Sequence, residues 1–529
     1  MAEETKMNVL DMNNYRMEKI PVRAKSKVEL FLMKIGAPLA IIFFLLIMFF
    51  FDLSFLHEFN IDSLSSKAKA NLDAIGLDQF VYANRAMLAL FVAALILWIT
   101  EAIPNYLTSL ILIVSLVLTH VLSEEVAYAQ LGHKVMWLNI LSFVLASMLV
   151  ATGVAKRFAL WFILKFGKNA SSIFLSFIAI NTVLSLFISA TTAKAAIMLP
   201  IFMVVAAVYG ASNGNRNNFG RSLILQNLLQ INMGASAFLT GSGANLLAAS
   251  LIAGAIGQDL FFSQWMIAAF PVAIGLMLIG WIVATRIYFP LSKSERLPSI
   301  EGGMESLRNE LKKMGKVSFE EIKSLIIFGG ILAMWTTDSL HGISPTAVAF
   351  VGAIIALMPK IGIVKWNDVD IPWHLLIFSA GAYTLGAGFK VTDLPSISVN
   401  AIFDGMGIGS DTPFWALYIT LTGLMVFSAL IFQSKTMRTM IFVPIAIGIA
   451  NRFGFGVLSL AFPVAMLIEH VYVLPFNSKP ALLLYSTNHY SWTDTFKYGI
   501  TMQIVAWVMS ILMAMTYFKW LGITPNGLF

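Results

Sequence analysis

The 529-residue chain has no cysteine. Disulfides, thiolate metal sites and cysteine nucleophiles are therefore excluded. Charge is also scarce: Asp, Glu, Lys and Arg make up 12% of the chain, about half the share in a soluble domain. Too few charges remain to coat a globule of this size in water. The seven histidines are scattered and show no metal-ligand spacing. The first 37 residues lack an apolar core, a cleavage site and the acid-poor character of a transit peptide. They carry seven Lys/Arg mixed with Glu3, Glu4, Glu18 and Glu29, and read as a cytoplasmic arm.

What is abundant is apolar sequence, 58% of the chain. It falls in runs of about 17 to 25 residues, the length that crosses a hydrocarbon core of roughly 30 Å. The predicted class is an all-α, multi-pass protein of the cell (inner) membrane. A net charge of +7 does not point to nucleic acid here, because cytoplasmic loops alone produce such an excess.

The runs lie near 38–56, 86–103, 105–122, 137–153, 221–240, 263–288, 322–339, 343–360, 371–388, 457–474 and 496–518, giving eleven candidate spans. Two longer apolar stretches, 172–208 and 411–452, are interrupted by the clusters Ser189-Ala190-Thr191-Thr192 and Gln433-Ser434-Lys435-Thr436. A polar break in an apolar segment is tolerated only where it is buried in protein or lines a cavity. Both stretches are predicted to be re-entrant helical hairpins. Two further breaks, Gly241-Ser242-Gly243-Ala244-Asn245 and Asn477-Ser478-Lys479-Pro480, predict broken helices over 221–258 and 457–486.

Charge tests this layout. A cytoplasmic N-terminus and an outside C-terminus place 24 Lys/Arg inside and seven outside, as the positive-inside rule requires. Hairpins that cross fully would keep the same sidedness. Four cations remain, Lys194, Lys435, Arg438 and Lys479, all at the polar breaks. A cation in the hydrocarbon region costs at least ~2.5–3.5 kcal/mol on insertion scales, so it normally serves a partner. Snorkelling to an interface is the alternative.

The two halves echo each other. Trp98-Ile-Thr100-Glu101 matches Trp335-Thr-Thr337-Asp338. Thr192-Ala-Lys194, followed by Pro200, matches Thr436-Met-Arg438, followed by Pro444. Five spans and one hairpin per half, after one leading helix, make the second copy inverted. Inverted repeats with broken helices at the midplane are the plan of many secondary transporters. Their half-helix N-termini present free N–H groups and a positive dipole end to an anionic carboxylate.

Over residues 38–520 these motifs, together with Trp98-Ile-Thr-Glu-Ala-Ile-Pro104 and Ile371-Pro372-Trp373-His-Leu-Leu, resemble the divalent anion/sodium symporter family, which includes the citrate and dicarboxylate carriers. The resemblance implies a homodimeric elevator. Its scaffold would be 38–170 and 322–400, its transport parts 171–289 and 401–529, and its cytoplasmic linker 290–321. The candidate substrate ligands, taken from the polar breaks and the cations beside them, are Thr191, Thr192, Lys194, Ser242, Asn245, Ser434, Lys435, Thr436, Arg438, Ser478, Lys479 and Pro480. For the tip threonines and Ser434, back-bonding to helix carbonyls is the bland alternative.

The tips depart from the family pattern, which has Ser-Asn-Thr in each hairpin, the Asn helping to hold sodium. Here those places hold Ala190-Thr191-Thr192 and Ser434-Lys435-Thr436. A lysine cannot share a pocket with sodium, since two cations ~4 Å apart repel by about 4 kcal/mol at an effective dielectric of 20. The expectation is sodium-independent exchange of C4–C5 dicarboxylates such as malate, succinate or 2-oxoglutarate, with no cofactor, metal or nucleic-acid partner. Sodium- or proton-coupled uptake, or a tricarboxylate or sulfate cargo, stands as the alternative. Glu469, expected within the span 457–474, reads as a counter-ion or proton carrier. A membrane enzyme should instead cluster Asp, Glu and His near an interface.

Overall fold

The computed structural model describes residues 10–15, 27–211, 216–299, 303–407, 412–432 and 434–528. Gln433 and most of the N-terminal arm lie outside this set. Among the described residues all regular structure is helical.

Seven helices are long and apolar enough to cross a membrane: Leu30–Phe50, Leu77–Thr100, Glu124–Ala151, Thr191–Val208, Phe262–Tyr288, Trp373–Thr392 and Trp492–Trp520. Two expected spans are long enough but miss that standard through their polar residues. Asn218–Ala237 is long enough but buries Gln226, Asn227, Gln230 and Asn232. Phe319–Thr336 opens on Glu320, Glu321 and Lys323, which face its polar end. Asn105–Leu118, Pro345–Leu357 and Val457–Met466 are apolar but short. The first helix begins at Lys27, well before residue 38; its apolar span starts at Leu30, and Pro38 is accommodated inside the helix.

Both interrupted stretches fold as paired helices. In the first hairpin, Ala170–Phe187 and Thr191–Val208 flank the break at 188–190. Lys194, one turn past the break, donates to Ser185 Oγ, one turn before it, at 2.7 Å. In the second, Phe414–Phe427 and Lys435–Arg452 flank the break, and Arg438 Nε donates to Ser428 Oγ at 2.8 Å. Each second arm has 18 residues, with Pro200 and Pro444 at the same step. Each also follows an extended cap residue, Ala190 at φ −83° and Ser434 at φ −87°.

The repeat reaches the flanking helices. Trp98 Nε1 donates to Asn105 O at 3.3 Å and Trp335 Nε1 to Pro345 O at 3.0 Å, so each buried indole locks the start of the next helix. Thr100 and Thr337 each back-bond to the carbonyl four residues earlier at 2.7 Å. Asp338 accepts the Phe262 and Ser263 amides at 2.7 and 3.2 Å, capping the helix that begins there.

Charge collects at one end of the molecule. Helices Val154–Phe166 and Gly303–Lys313 meet there through Lys156–Glu310 at 3.0 Å, while Arg157 pairs with Glu321 at 2.6 Å. Lys134 starts, and Arg157 follows, the same 18-residue helix, which spans about 27 Å. Lys134 therefore marks the opposite end.

Candidate functional site

Each broken helix must satisfy the backbone groups that its interruption frees. Ser242 caps Gly243–Ile256 at φ −157°, ψ 156°, and Ser478 caps Lys479–Tyr485 at φ −158°, ψ 160°. Each Oγ accepts the amide three residues on at 3.3 Å, so the two restarts are built alike. Asn245 Nδ2 bonds back to the Ala235 and Phe238 carbonyls at 2.8 and 3.0 Å, stitching the first break. Its buried Oδ1 has no partner among the described residues. Asn477 Nδ2 donates to Ala429 O and its Oδ1 accepts from Leu474 N, both at 2.6 Å, tying the second break to the second hairpin.

Three of the four singled-out cations lie within this framework. Lys194 is wholly buried, and its Nζ bonds Ser185 Oγ at 2.7 Å and Ile231 O at 3.3 Å. Arg438 is also wholly buried. It donates to Ile468 O at 2.9 Å, to Leu467 O at 3.5 Å, to Met425 O and to Ser428 Oγ. It thereby caps the carbonyl ends of Phe414–Phe427 and Val457–Met466, where a helix dipole favours a cation. Burial this complete rules out snorkelling for both. Lys435 Nζ bonds Asn232 Oδ1 at 3.1 Å and forms an ion pair with Glu469.

Glu469 is not within a helix as expected. The helix ends at Met466, and Glu469 lies in the irregular stretch before Lys479, where Arg438 holds the freed carbonyls of Leu467 and Ile468. Its carboxylate is fully buried and bridges the halves, with one oxygen on Lys435 and the other accepting from Ser242 Oγ at 2.6 Å.

A cavity of about 550 Å³ opens beside the second break. Ser434, Thr436 and Lys479 line it from the hairpin tip and the restarted helix, facing Glu101, Tyr106 and His374. The volume falls within the ~300–1,000 Å³ typical of small-molecule sites. The structure thus divides the predicted ligands. Ser434, Thr436 and Lys479 share this cavity, whereas Lys194 and Arg438 are fully buried and do not line it. Ser242, Asn245 and Pro480 are buried in or beside the breaks, Ser478 caps, and Thr191 and Thr192 are half-buried at the first tip. Lys194 and Arg438 could not touch a ligand in this cavity without rearrangement, because neutral oxygens already engage them.

Sequence reasoning missed Asn232, Glu101 and His374 as members of the site. Asn232 had a visible signal, since four side-chain amides in one apolar stretch, 221–240, need buried partners. His374 sits in the Ile371-Pro372-Trp373-His motif already noted. Glu101 adopts φ +48°, a left-handed turn that nothing in its local sequence announces.

Residues 75–524 match the model of the sodium:sulfate symporter transmembrane region. The chain belongs to that family. Among relatives, it is 27% identical over 467 residues to a membrane protein of Cupriavidus necator, covering 83% of this chain and 88% of the relative. It is 26% identical over 437 residues to a sodium-dependent dicarboxylate transporter of Staphylococcus saprophyticus, covering 78% and 82%. The counterpart in Staphylococcus aureus strain NCTC 8325 is 25% identical over the same length. Family membership makes the chain a multi-pass membrane transport protein.

Proposed function

We propose that the protein is a dicarboxylate exchanger whose coupling cations are built into the chain. The observation that carries this reading is the Lys435 ammonium, held between Asn232 Oδ1 and the buried Glu469 carboxylate. An oxygen cage of this kind suits a monovalent cation, and here a side chain fills it. Lys194 and Arg438 occupy comparable oxygen-lined places in the two hairpins. Two relatives are named as sodium-dependent, and sodium is an ion that can come and go. This chain cannot release a lysine.

Charge then bears on transport. Buried Lys194 and Arg438 and half-buried Lys435, against buried Glu469, leave two positive charges in the region of the breaks. A dianion in the adjoining cavity neutralises them, so a loaded carrier crosses hydrocarbon at lower cost than an empty one. Obligate exchange follows. The eleven spans, the two-fold assembly of chains and the elevator motion of hairpins and broken helices against a scaffold belong to this proposal.

Sodium-coupled symport is the second reading, favoured by the names of the relatives. Counterflow tests the exchanger. Labelled succinate uptake into proteoliposomes should depend on internal succinate or malate and be near background in liposomes loaded with buffer alone. Equal uptake into both would reject exchange.

A further inference from the structure

A second cavity, of about 260 Å³, opens at the end of the molecule opposite the basic loops. Its rim carries Lys67, Lys134 and Lys390, residues far apart in sequence that the fold brings together. Only seven Lys/Arg fall on this side of the charge-derived layout, and three of them line one cavity. Cations on that side work against the topology signal, so their concentration here calls for a reason.

Capping offers a partial one. Helix Gly243–Ile256 ends at this cavity, and a cation suits a helix C-terminus. One cation would serve that purpose. Among the described residues the one carboxylate lining the cavity, Asp259, is already paired with Lys134. Lys67 and Lys390 remain beyond that pair. Lys390 lies across the bare backbone of Gly254, where an added Cβ would stand 2.4 Å from its Nζ. The glycine thus lets the ammonium sit directly over the restarted helix. Leu138, Leu239 and Leu246 also line the cavity, and Leu239 belongs to the short turn that ends at Gly241, beside the Ser242 cap. The cavity therefore borders the first break.

We infer that this cavity is a second, outer binding site for a small dianion, which captures carboxylate from solution before it reaches the breaks. Drug-sized ligands need ~300–1,000 Å³, so a cavity somewhat below that range fits a smaller ion. A cleft lined by one sign of charge raises local counter-ion concentration and association rate by roughly 10–1,000-fold, an advantage that salt removes. The inference rests on the dicarboxylate reading only for the identity of the cargo.

The cysteine-free chain makes a direct test possible. Gln258 lines the cavity and is exposed, so Gln258→Cys gives a sole thiol that leaves all three lysines in place. Its alkylation by a membrane-impermeant maleimide should slow several-fold in succinate and not in chloride of equal ionic strength. In the same background, Lys67→Gln with Lys390→Gln should abolish that protection. Without the cysteine, the paired substitutions should raise KM for succinate exchange about ten-fold, with the loss confined to KM and shrinking at high salt. Protection that survives the lysine substitutions would mean that the thiol senses the central site, and would overturn the proposal. Absence of protection in a variant that still exchanges succinate would overturn it as well. Protection without any succinate exchange would leave the outer site standing and remove the exchanger reading instead.

Discussion

The two hairpin tips share a backbone plan and differ in how they treat charge. At the first tip, Lys194 is buried against a hydroxyl and a backbone carbonyl, with no carboxylate bonded to it. At the second, Lys435 is paired with Glu469, and Arg438 answers four neutral oxygens from two helix ends. The matching prolines and the places of Lys194 and Arg438 follow from the repeat, while Lys435, which corresponds to Thr191 in the other copy, and its counter-ion occur in one half alone. Symmetry thus sets where one cation of each tip sits, and the local oxygen supply decides how much charge remains.

That contrast predicts unequal mutational costs. Lys435→Met strands a fully buried carboxylate and should lose ~3–5 kcal/mol of stability, the range for removing one partner of a buried ion pair. Lys194→Met removes a buried cation that has no bonded counter-ion. It should hold stability to within about 1 kcal/mol or raise it, because an apolar side chain of similar length avoids the desolvation cost. Thermal unfolding in detergent measures both. Equal losses would show that the counter-ion is not what separates the tips.

A second experiment makes the tips more alike. Lys435→Asn installs the residue that the family resemblance places there and removes one of the fixed cations. Exchange should weaken while net efflux into buffer without counter-substrate rises relative to it, in liposomes clamped near zero potential. An unchanged ratio of efflux to exchange would mean that the cations serve affinity only.

Smaller effects probe the repeat itself. Trp98→Phe and Trp335→Phe each delete one indole bond to the start of the next helix. Each should lose about 0.5–1.5 kcal/mol. The pair should add to within ~0.5 kcal/mol because the sites lie in separate halves. A large loss at one tryptophan alone would break the equivalence.

The smallest effect concerns the basic end. Hydrogen bonding from Lys313, and then from Lys156, holds the Glu310 carboxyl below its ordinary value despite an opposing effect of burial. A carboxylate depressed in the folded state contributes stability above its unfolded pKa and loses it as pH falls through the folded one. The contact between helices Val154–Phe166 and Gly303–Lys313 should therefore loosen only below the usual carboxylate range. Amide exchange across residues 303–313 would show this, and Glu310→Gln should loosen the contact at neutral pH.

Much of this organisation was legible in the sequence, because polar residues within apolar runs are costly and therefore conspicuous. Ser242, Ser478, Lys194, Lys435 and Arg438 stand out on that ground alone. Their partners do not. Asn232 and Glu469 meet Lys435 through contacts 203 and 34 residues apart, which no local pattern encodes. The role of Arg438 was also hidden, since backbone carbonyls become acceptors only where the fold breaks a helix. Glu469 read as helical because its neighbours Leu467, Ile468, Val471 and Tyr472 are apolar, whereas the chain there is irregular and packed inside protein.

In the proposed exchanger, lysine and arginine take the place of the sodium on which the named relatives depend. The most direct measurement is the initial rate of labelled-succinate exchange in proteoliposomes as external sodium is replaced stepwise by choline at constant ionic strength. The rate should stay level across the whole titration. A steep, saturable rise with sodium would contradict it and restore sodium-coupled symport.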